Sequence, residues 1–549
     1  MNSPTTQTSF PPRALAVLCI LLGFCPAFPI LSFSLPLLVL LYPVGTALLG
    51  MKAGSDRQAF LQALLAAGAG HAAALIWMRI PMSVVGELPM IASVLLTFVA
   101  CLMLSSQAGL FAVAARRLWQ PGLLRSACAM GLVWYFLEYG YALTLGFPWL
   151  PLSGALAKWP WTMQLADTLG AYLTSSLWLM AAFLLAGFLL KRQLRLLAAG
   201  ALIAAGLAGY GLFSLASSPM VPCLGPEAAA KALPNPADDK DVFPVLMADG
   251  NIDQNQKWVE SYRTGTVRTY VTLSKEALAR AYAQTPSAEE SQAMRDYLSR
   301  GLILWSETAM PFDLPTSPHT ASLIELARSS GMALITGAPG FERTAGSRDY
   351  TVYNRIWLIT PQGLPGGSYD KEHLVPFGEY IPACFRWHFL DGLMQGVGQY
   401  TEGTRTAPLH HGRLALGPLV CYEGIFPWLA QERVSKGANV LLDVSNDGWF
   451  GATAAPWQHL YLTGLRALEQ NRWLVRCTNT GISAVYDNRG RIVLEGPQFV
   501  ENALWASART IEATSRFHSL FYILPAVCAL ILILCVFSMR RKGQLPCNN

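Results

Sequence analysis

The chain has 549 residues, 53% of them apolar and only 13% charged, with a formal net charge of +6. That balance excludes an ordinary soluble enzyme and points to a membrane protein longer than one typical domain. No nucleic-acid partner is expected.

In chain order, long uncharged runs fill roughly 14 to 216, a mixed polar region continues to about 517, and a last apolar run spans 520 to 539. At about 20 residues per crossing, helices are predicted near 14–32, 34–50, 58–78, 88–114, 124–146, 164–190 and 196–218, with an eighth at 520–539. Pro26, Pro29 and Pro36 interrupt the first two, which read equally as one span plus a re-entrant piece. Basic residues cluster at Lys52 and Arg57, at Arg116, Arg117 and Arg125, at Lys191, Arg192 and Arg195, and at Arg540, Arg541 and Lys542. These clusters fall in alternate loops, so the positive-inside rule assigns all four to the cytoplasm. Seven spans before the polar region then put the N-terminus inside and residues 221–515 outside, which in a bacterium is the periplasm. A cleaved signal peptide is disfavoured because more apolar segments follow at once and no small-residue cleavage site does. Leu18 and Phe24 stand where lipid attachment at Cys19 or Cys25 would need a small residue.

Of the eleven cysteines, Cys19, Cys25, Cys101, Cys128, Cys528 and Cys535 lie in apolar spans and read as packing residues, and Cys547 lies in the tail. Cys223, Cys384, Cys421 and Cys477 are expected in an oxidising compartment, and a bridge between Cys223 and Cys384 stays open. The stretch VPCLGPEAAAKALPNPADDK, rich in Pro and Ala, reads as a linker over 221–240. After it, strand patterns recur: VFPVLMADG, GLILWSE, GMALITGAP, YTVYNRIWLI, RLALGPLVC, NVLLDVSND, WLVRCTNTG and ISAVYD. Helical patterns intervene at Ser287 to Ser299, Thr320 to Ser329, Phe426 to Lys436 and Trp457 to Gln470, predicting an α/β domain with a central, mostly buried sheet.

Three reactive side chains fall at or just past the carboxyl ends of strands, where α/β sheets bind ligands. Glu307 ends GLILWSE, Lys371 follows the strand and Gly/Pro-rich turn of YNRIWLITPQGLPGGSYDK, and Cys421 ends LALGPLVC. A cysteine attacks as thiolate, so it needs a lowered pKa or a base. Glu307 can take the proton, and Lys371 can stabilise the oxyanion of acyl transfer. No Cys and His cluster shows metal-ligand spacing, so neither metal nor cofactor is expected. Taken singly, each has a plainer reading: Cys421 as packing, Glu307 as a helix cap, Lys371 as a solvated loop residue.

The segments around them resemble those of the apolipoprotein N-acyltransferases, the membrane-bound branch of the nitrilase (carbon-nitrogen hydrolase) superfamily. WSETAMP at 305–311, YDKEHLVPFGEYIP at 369–382 and VCYEG at 420–424 are similar to that family's Glu, Lys and Cys segments. GNIDQNQKW, SNDGWFG, APWQH, RALEQNR, TNTGISAV and, at 146–150, GFPWL match as well. The resemblance implies a multi-span helical membrane domain over 1–220 and a periplasmic nitrilase-like αββα domain over 241–515. A C-terminal transmembrane helix and tail would complete the chain over 516–549. It further implies Glu307 as base, Lys371 as oxyanion cation and Cys421 as nucleophile. Glu379 would orient the lysine, and Tyr422 and Glu423 would shape the pocket. Trp258, Asn354, Glu469 and Arg472 match supporting positions, although Trp258 also reads as packing and Glu469 with Arg472 as a helix-face ion pair. Ser306 stands where the family usually has Pro, and Gly140 with Tyr141 where it has Arg and Gly.

The implied reaction is ping-pong in the bacterial inner membrane. Cys421 takes an acyl chain from a phospholipid, typically phosphatidylethanolamine, and passes it to the α-amine of a lipoprotein's diacylglyceryl-cysteine. The main enzymatic alternative is a membrane-tethered amidase or nitrilase-type hydrolase using the same three residues.

Overall fold

A computed structural model describes residues 12–28, 35–220, 240–283, 287–343, 350–381 and 400–541. The chain divides into two compact units: Met1–Arg79, Ile91–Ser214 and Leu520–Asn549 form one, Ile80–Met90 and Leu215–Ser519 the other. Cys223 and Cys384 lie outside the described residues.

The first unit is helical. Among the described residues, Met90–Leu118, Ala166–Lys191, Leu194–Ser217 and Leu524–Arg541 are each long and apolar enough to cross a membrane. Asp56–Ala74 with Ile76–Val84, bent by 61°, makes a fifth if the pair is one span. Helices occupy the other expected positions, but Arg13–Ala27 and Pro36–Lys52 are shorter, and Leu124–Thr144 carries Arg125 and Glu138 within its 21 residues. The first two expected spans are shortened by the prolines between them. The outward faces are apolar, with Leu202, Phe213, Leu530 and Phe537 exposed. Small residues let the helices approach closely: a Cβ on Gly50 would come within 2.2 Å of the Ala112 carbonyl oxygen.

Among the described residues the second unit holds twelve strands: β1 Val242–Asp249, β2 Leu302–Trp305, β3 Ala333–Arg343, β4 Tyr350–Thr360, β5 Gly363–Asp370 and β6 Leu409–His411, then β7 Leu414–Val420, β8 Val440–Ser445, β9 Leu474–Thr478, β10 Ala484–Tyr486, β11 Ile492–Glu495 and β12 Asn502–Arg509. They form two six-stranded sheets, ordered β12-β1-β2-β3-β4-β5 and β11-β10-β9-β8-β7-β6. β1, β2 and β3 run parallel, as do β7, β8 and β9, and the outer strands pair antiparallel.

The two sheets pack face to face. Val245, Met247, Leu302, Leu304 and Ile335 of the first share one core with Leu416, Val420, Leu442, Val444 and Val475 of the second. The alternate residues of the first sheet, Leu246, Ala248, Ile303, Trp305 and Leu334, meet Val267, Tyr270 and Leu278 of helix Glu260–Tyr282 and Leu323 and Leu326 of helix Thr320–Ser330. Strands buried on both faces read as continuous apolar runs. That is why the strand patterns reveal one buried sheet and not the pair. The αββα sandwich implied by the resemblance is the arrangement present.

Candidate active site

Cys421 follows β7 and opens the single turn Cys421–Ile425. Its φ of +53° is unusual for a residue with a side chain and marks strain of the kind stored at reactive turns. The turn is held by Glu423, whose carboxylate accepts from the Val420 N–H (2.8 Å), from the Glu372 and His373 N–H groups (2.7 and 3.0 Å) and from the Tyr369 hydroxyl. Glu423 therefore ties the Cys421 turn to the residues that follow Lys371. Tyr422 stacks on His373, with ring centroids 5.9 Å apart, and packs edge-on against Phe426.

Lys371 comes directly after β5, and its backbone N–H donates to the Asn354 carbonyl of β4 (2.9 Å). Its ammonium is buried, 2.8 Å from Glu379 Oε2 and 3.5 Å from Glu307 Oε1. Burial alone would pull that ammonium down, but Glu379, Glu307 and Cys421 together hold it above the ordinary lysine range. Asn354 Nδ2 donates to both Glu307 Oε1 and Glu379 Oε1, at 2.7 Å each. One oxygen of Glu307 is thus fixed. The other, Oε2, is buried and accepts no hydrogen bond among the described residues. Burial pushes the Cys421 thiol well up, the Glu307 charge adds to the rise, and Lys371 opposes it. The balance favours the thiol over the thiolate, and charge interaction links that thiol to both Glu307 and Lys371.

Behind Cys421 lies a second polar cluster. His459 Nε2 donates to the Cys421 carbonyl oxygen (3.1 Å), and its Nδ1 lies 3.0 Å from Arg476 and 3.2 Å from Asp447. Arg476 is buried and donates to Asp447 (2.9 Å) and to Asp443. Burial would raise the Asp447 carboxyl, yet Arg476 and His459 hold it below the ordinary range. Donor atoms of Cys421, Asp447 and His459 come within 4.8 Å of one another, which their spacing in the sequence does not show. Both nitrogens of His459 and the Asp447 carboxylate are already engaged within the protein, so the cluster reads as a brace for the nucleophile turn.

The family comparison rests on both units. Residues 18–184 match the model for the apolipoprotein N-acyltransferase N-terminal domain, and residues 264–514 match the model for carbon-nitrogen hydrolases. An apolipoprotein N-acyltransferase of Geobacter metallireducens is 33% identical over 490 residues, 89% of this chain and 88% of that protein. The chain belongs to the apolipoprotein N-acyltransferase family. The relative of the same name in Pseudomonas syringae is 30% identical over 90% of this chain and 91% of its own, and that of Allorhizobium ampelinum 32% over 78% and 76%. A solved yeast protein of the nitrilase superfamily, Nit3, aligns with 49% of this chain and 90% of its own at 17% identity, with a TM-score of 0.36.

The predicted site residues separate into two groups. Glu307, Lys371, Glu379 and Asn354 form one hydrogen-bonded set, joined to Cys421 by charge interaction and to Tyr422 and Glu423 through the turn. Trp258 is 44% exposed, so packing does not account for it. The plainer reading of Glu469 and Arg472 as a helix-face pair does not describe them: Glu469 pairs with Arg466 (3.0 Å) within helix Ala455–Gln470. Arg472 lies just past that helix, where its guanidinium donates to the carbonyls of Ala438, Glu512 and Ala513. Asn471 between them turns left-handed at φ +53° and ends the helix, so the i, i+3 geometry is lost. Asp447, His459 and Arg476 were not singled out from the sequence. The available signal was Arg476, a charge in the middle of the buried strand pattern WLVRC.

Proposed function

We propose that this protein moves an acyl chain from a membrane phospholipid to the α-amine of the diacylglyceryl-cysteine of apolipoproteins, through a thioester on Cys421. The observation that carries this is the buried setting of Glu307: Asn354 and Lys371 hold one of its oxygens, and its charge and that of Lys371 both act on the Cys421 thiol.

In the first half-reaction the Cys421 proton passes to Glu307, and the sulfur attacks the ester carbonyl. Lys371 faces the oxyanion of the tetrahedral intermediate, kept cationic by Glu379. Collapse breaks the C–O bond, and Glu307 returns the proton to the leaving lysophospholipid. In the second, the neutral acceptor amine attacks the thioester and gives its proton to Glu307, the C–S bond breaks, and Glu307 returns the proton to the leaving Cys421 sulfur, which yields the amide and the starting thiol. Burial keeps water, the competing nucleophile, out of the site.

Phosphatidylethanolamine is the donor this reading favours. The basic loops support an inner-membrane protein with its catalytic domain in the periplasm. Incubating the full-length protein with labelled phosphatidylethanolamine and a diacylglyceryl-cysteine peptide tests the reaction. Lysophospholipid and N-acylated peptide in equal amounts are expected. Free fatty acid without acylated peptide would instead favour the tethered hydrolase.

A further inference from the structure

Lys257 is a buried cation with no part in the steps above. It ends the short helix Gln254–Lys257, is 1% exposed, and donates from Nζ to the Glu307 carbonyl oxygen and to Thr308 Oγ1, at 3.0 Å each. Both acceptors lie in a turn with little freedom. Thr308 has a φ of +44°, a left-handed conformation disfavoured for a β-branched residue. Gly337 passes so close that a Cβ there would come within 2.2 Å of the Thr308 nitrogen. Backbone bonds grip the flanks of the turn, from Gly337 N–H to the Ser306 carbonyl (3.2 Å) and from Met310 N–H to the Gly337 carbonyl (3.0 Å). Lys257 grips the Glu307 carbonyl between them. An ammonium in so dry a place is costly to keep. Burial pulls it down to about 8, with the Glu307 carboxylate opposing the fall. Its hydrogen bonds go to the segment that carries the proposed base.

We propose that Lys257 is a positioning residue for acyl transfer: by holding the Glu307 carbonyl and the Thr308 hydroxyl, it fixes the strained turn that sets the Glu307 carboxylate against Asn354 and Lys371. The proposal rests on Glu307 serving as the base. Misplacing a catalytic group by about 1 Å costs up to roughly 100-fold in rate, so the grip acts on rate even where the fold survives.

The test is single-turnover acylation of the full-length detergent-solubilised protein by a fluorescent phosphatidylethanolamine. Rate constant and amplitude of the hydroxylamine-labile adduct are read separately for Lys257→Gln, Lys257→Gln with Thr308→Gly, and Glu307→Gln. Lys257→Gln is expected to lower the rate constant by about 10- to 100-fold at near-full amplitude. Thr308→Gly in the same chain is expected to recover a substantial part of the loss, because glycine takes a positive φ without strain. A lost amplitude with a wild-type rate constant in the remaining sites, an unchanged rate constant, or no recovery in the double variant overturns the proposal. Should Lys257→Gln fail to accumulate, Lys257→Arg, which keeps the charge but not the donor geometry, is read by the same criteria. A wild-type rate in Glu307→Gln would remove the base itself. Collapse of Glu307→Gln beside an unchanged Lys257→Gln would remove only the role of Lys257.

Discussion

Cys421 is a thiol whose surroundings favour its proton. Burial is the largest cause, Glu307 and Asp447 add to it, and Lys371 and the Ser445 side chain work against it. The base is therefore needed within the reaction, not to prepare a standing thiolate. Glu307→Gln should slow acylation by roughly two to four orders of magnitude, the range usual for a lost general base. Glu379→Gln keeps hydrogen-bonding capacity towards Lys371 and should slow it less. The pH dependence separates the roles. Since the thiol pKa is raised, each added pH unit increases the thiolate fraction about tenfold while the thiol still dominates, so alkaline pH should partly rescue Glu307→Gln. It should not rescue Lys371→Met, which lacks the cation facing the oxyanion. A single-turnover pH series on the three variants checks this. Equal losses in both glutamate variants with no alkaline rescue would mean that the carboxylates are wrongly divided.

Among the elements, the brace of β8, β9 and helix Ala455–Gln470 sets the nucleophile turn through Asp443, Asp447, Arg476 and His459. Arg476→Leu leaves two buried carboxylates without their cation, and removing one partner of a buried ion pair costs about 3–5 kcal/mol. Thermal unfolding should show that loss; a melting temperature within a degree of wild type would argue against the brace. The strands supporting this region were legible because, Asp443 and Arg476 apart, they read as continuous apolar runs. Other elements were not, and three of them show why. Helix Glu260–Tyr282 carries VRTYVT, a β-branched and aromatic run that reads like strand, and only its buried Val267, Tyr270, Ser274, Ala277 and Ala281 reveal the helical repeat. β5 contains GLPGG, which reads as a turn, and it pairs with β4 through a register shift near Gly363 and Gly367, both at positive φ. β12 comes from the far end of the domain to pair with β1, a long-range partner that local pattern cannot supply. At the candidate site, Glu307, Lys371 and Cys421 were legible as reactive side chains at strand ends. The brace was not, because Asp443, Asp447, His459 and Arg476 meet only after β8, β9 and the helix between them fold together.

At the scale of the whole molecule, a helical unit with lipid-facing apolar surfaces is joined to an αββα unit that carries the chemistry. Both proposed substrates are lipid-anchored, so membrane attachment lets them arrive by lateral diffusion. The four basic clusters predict that a reporter active only in the periplasm works when fused within 241–515 and fails after Lys542; the opposite pattern would put the site on the wrong side. The central claim, a thioester on Cys421, is tested most directly by intact mass. After incubation with phospholipid and no acceptor, the protein should gain the mass of one acyl chain, lose it on hydroxylamine treatment, and show no gain in Cys421→Ser, while Cys477→Ser still acylates. An adduct that survives in Cys421→Ser, or appears on another cysteine, would contradict the account.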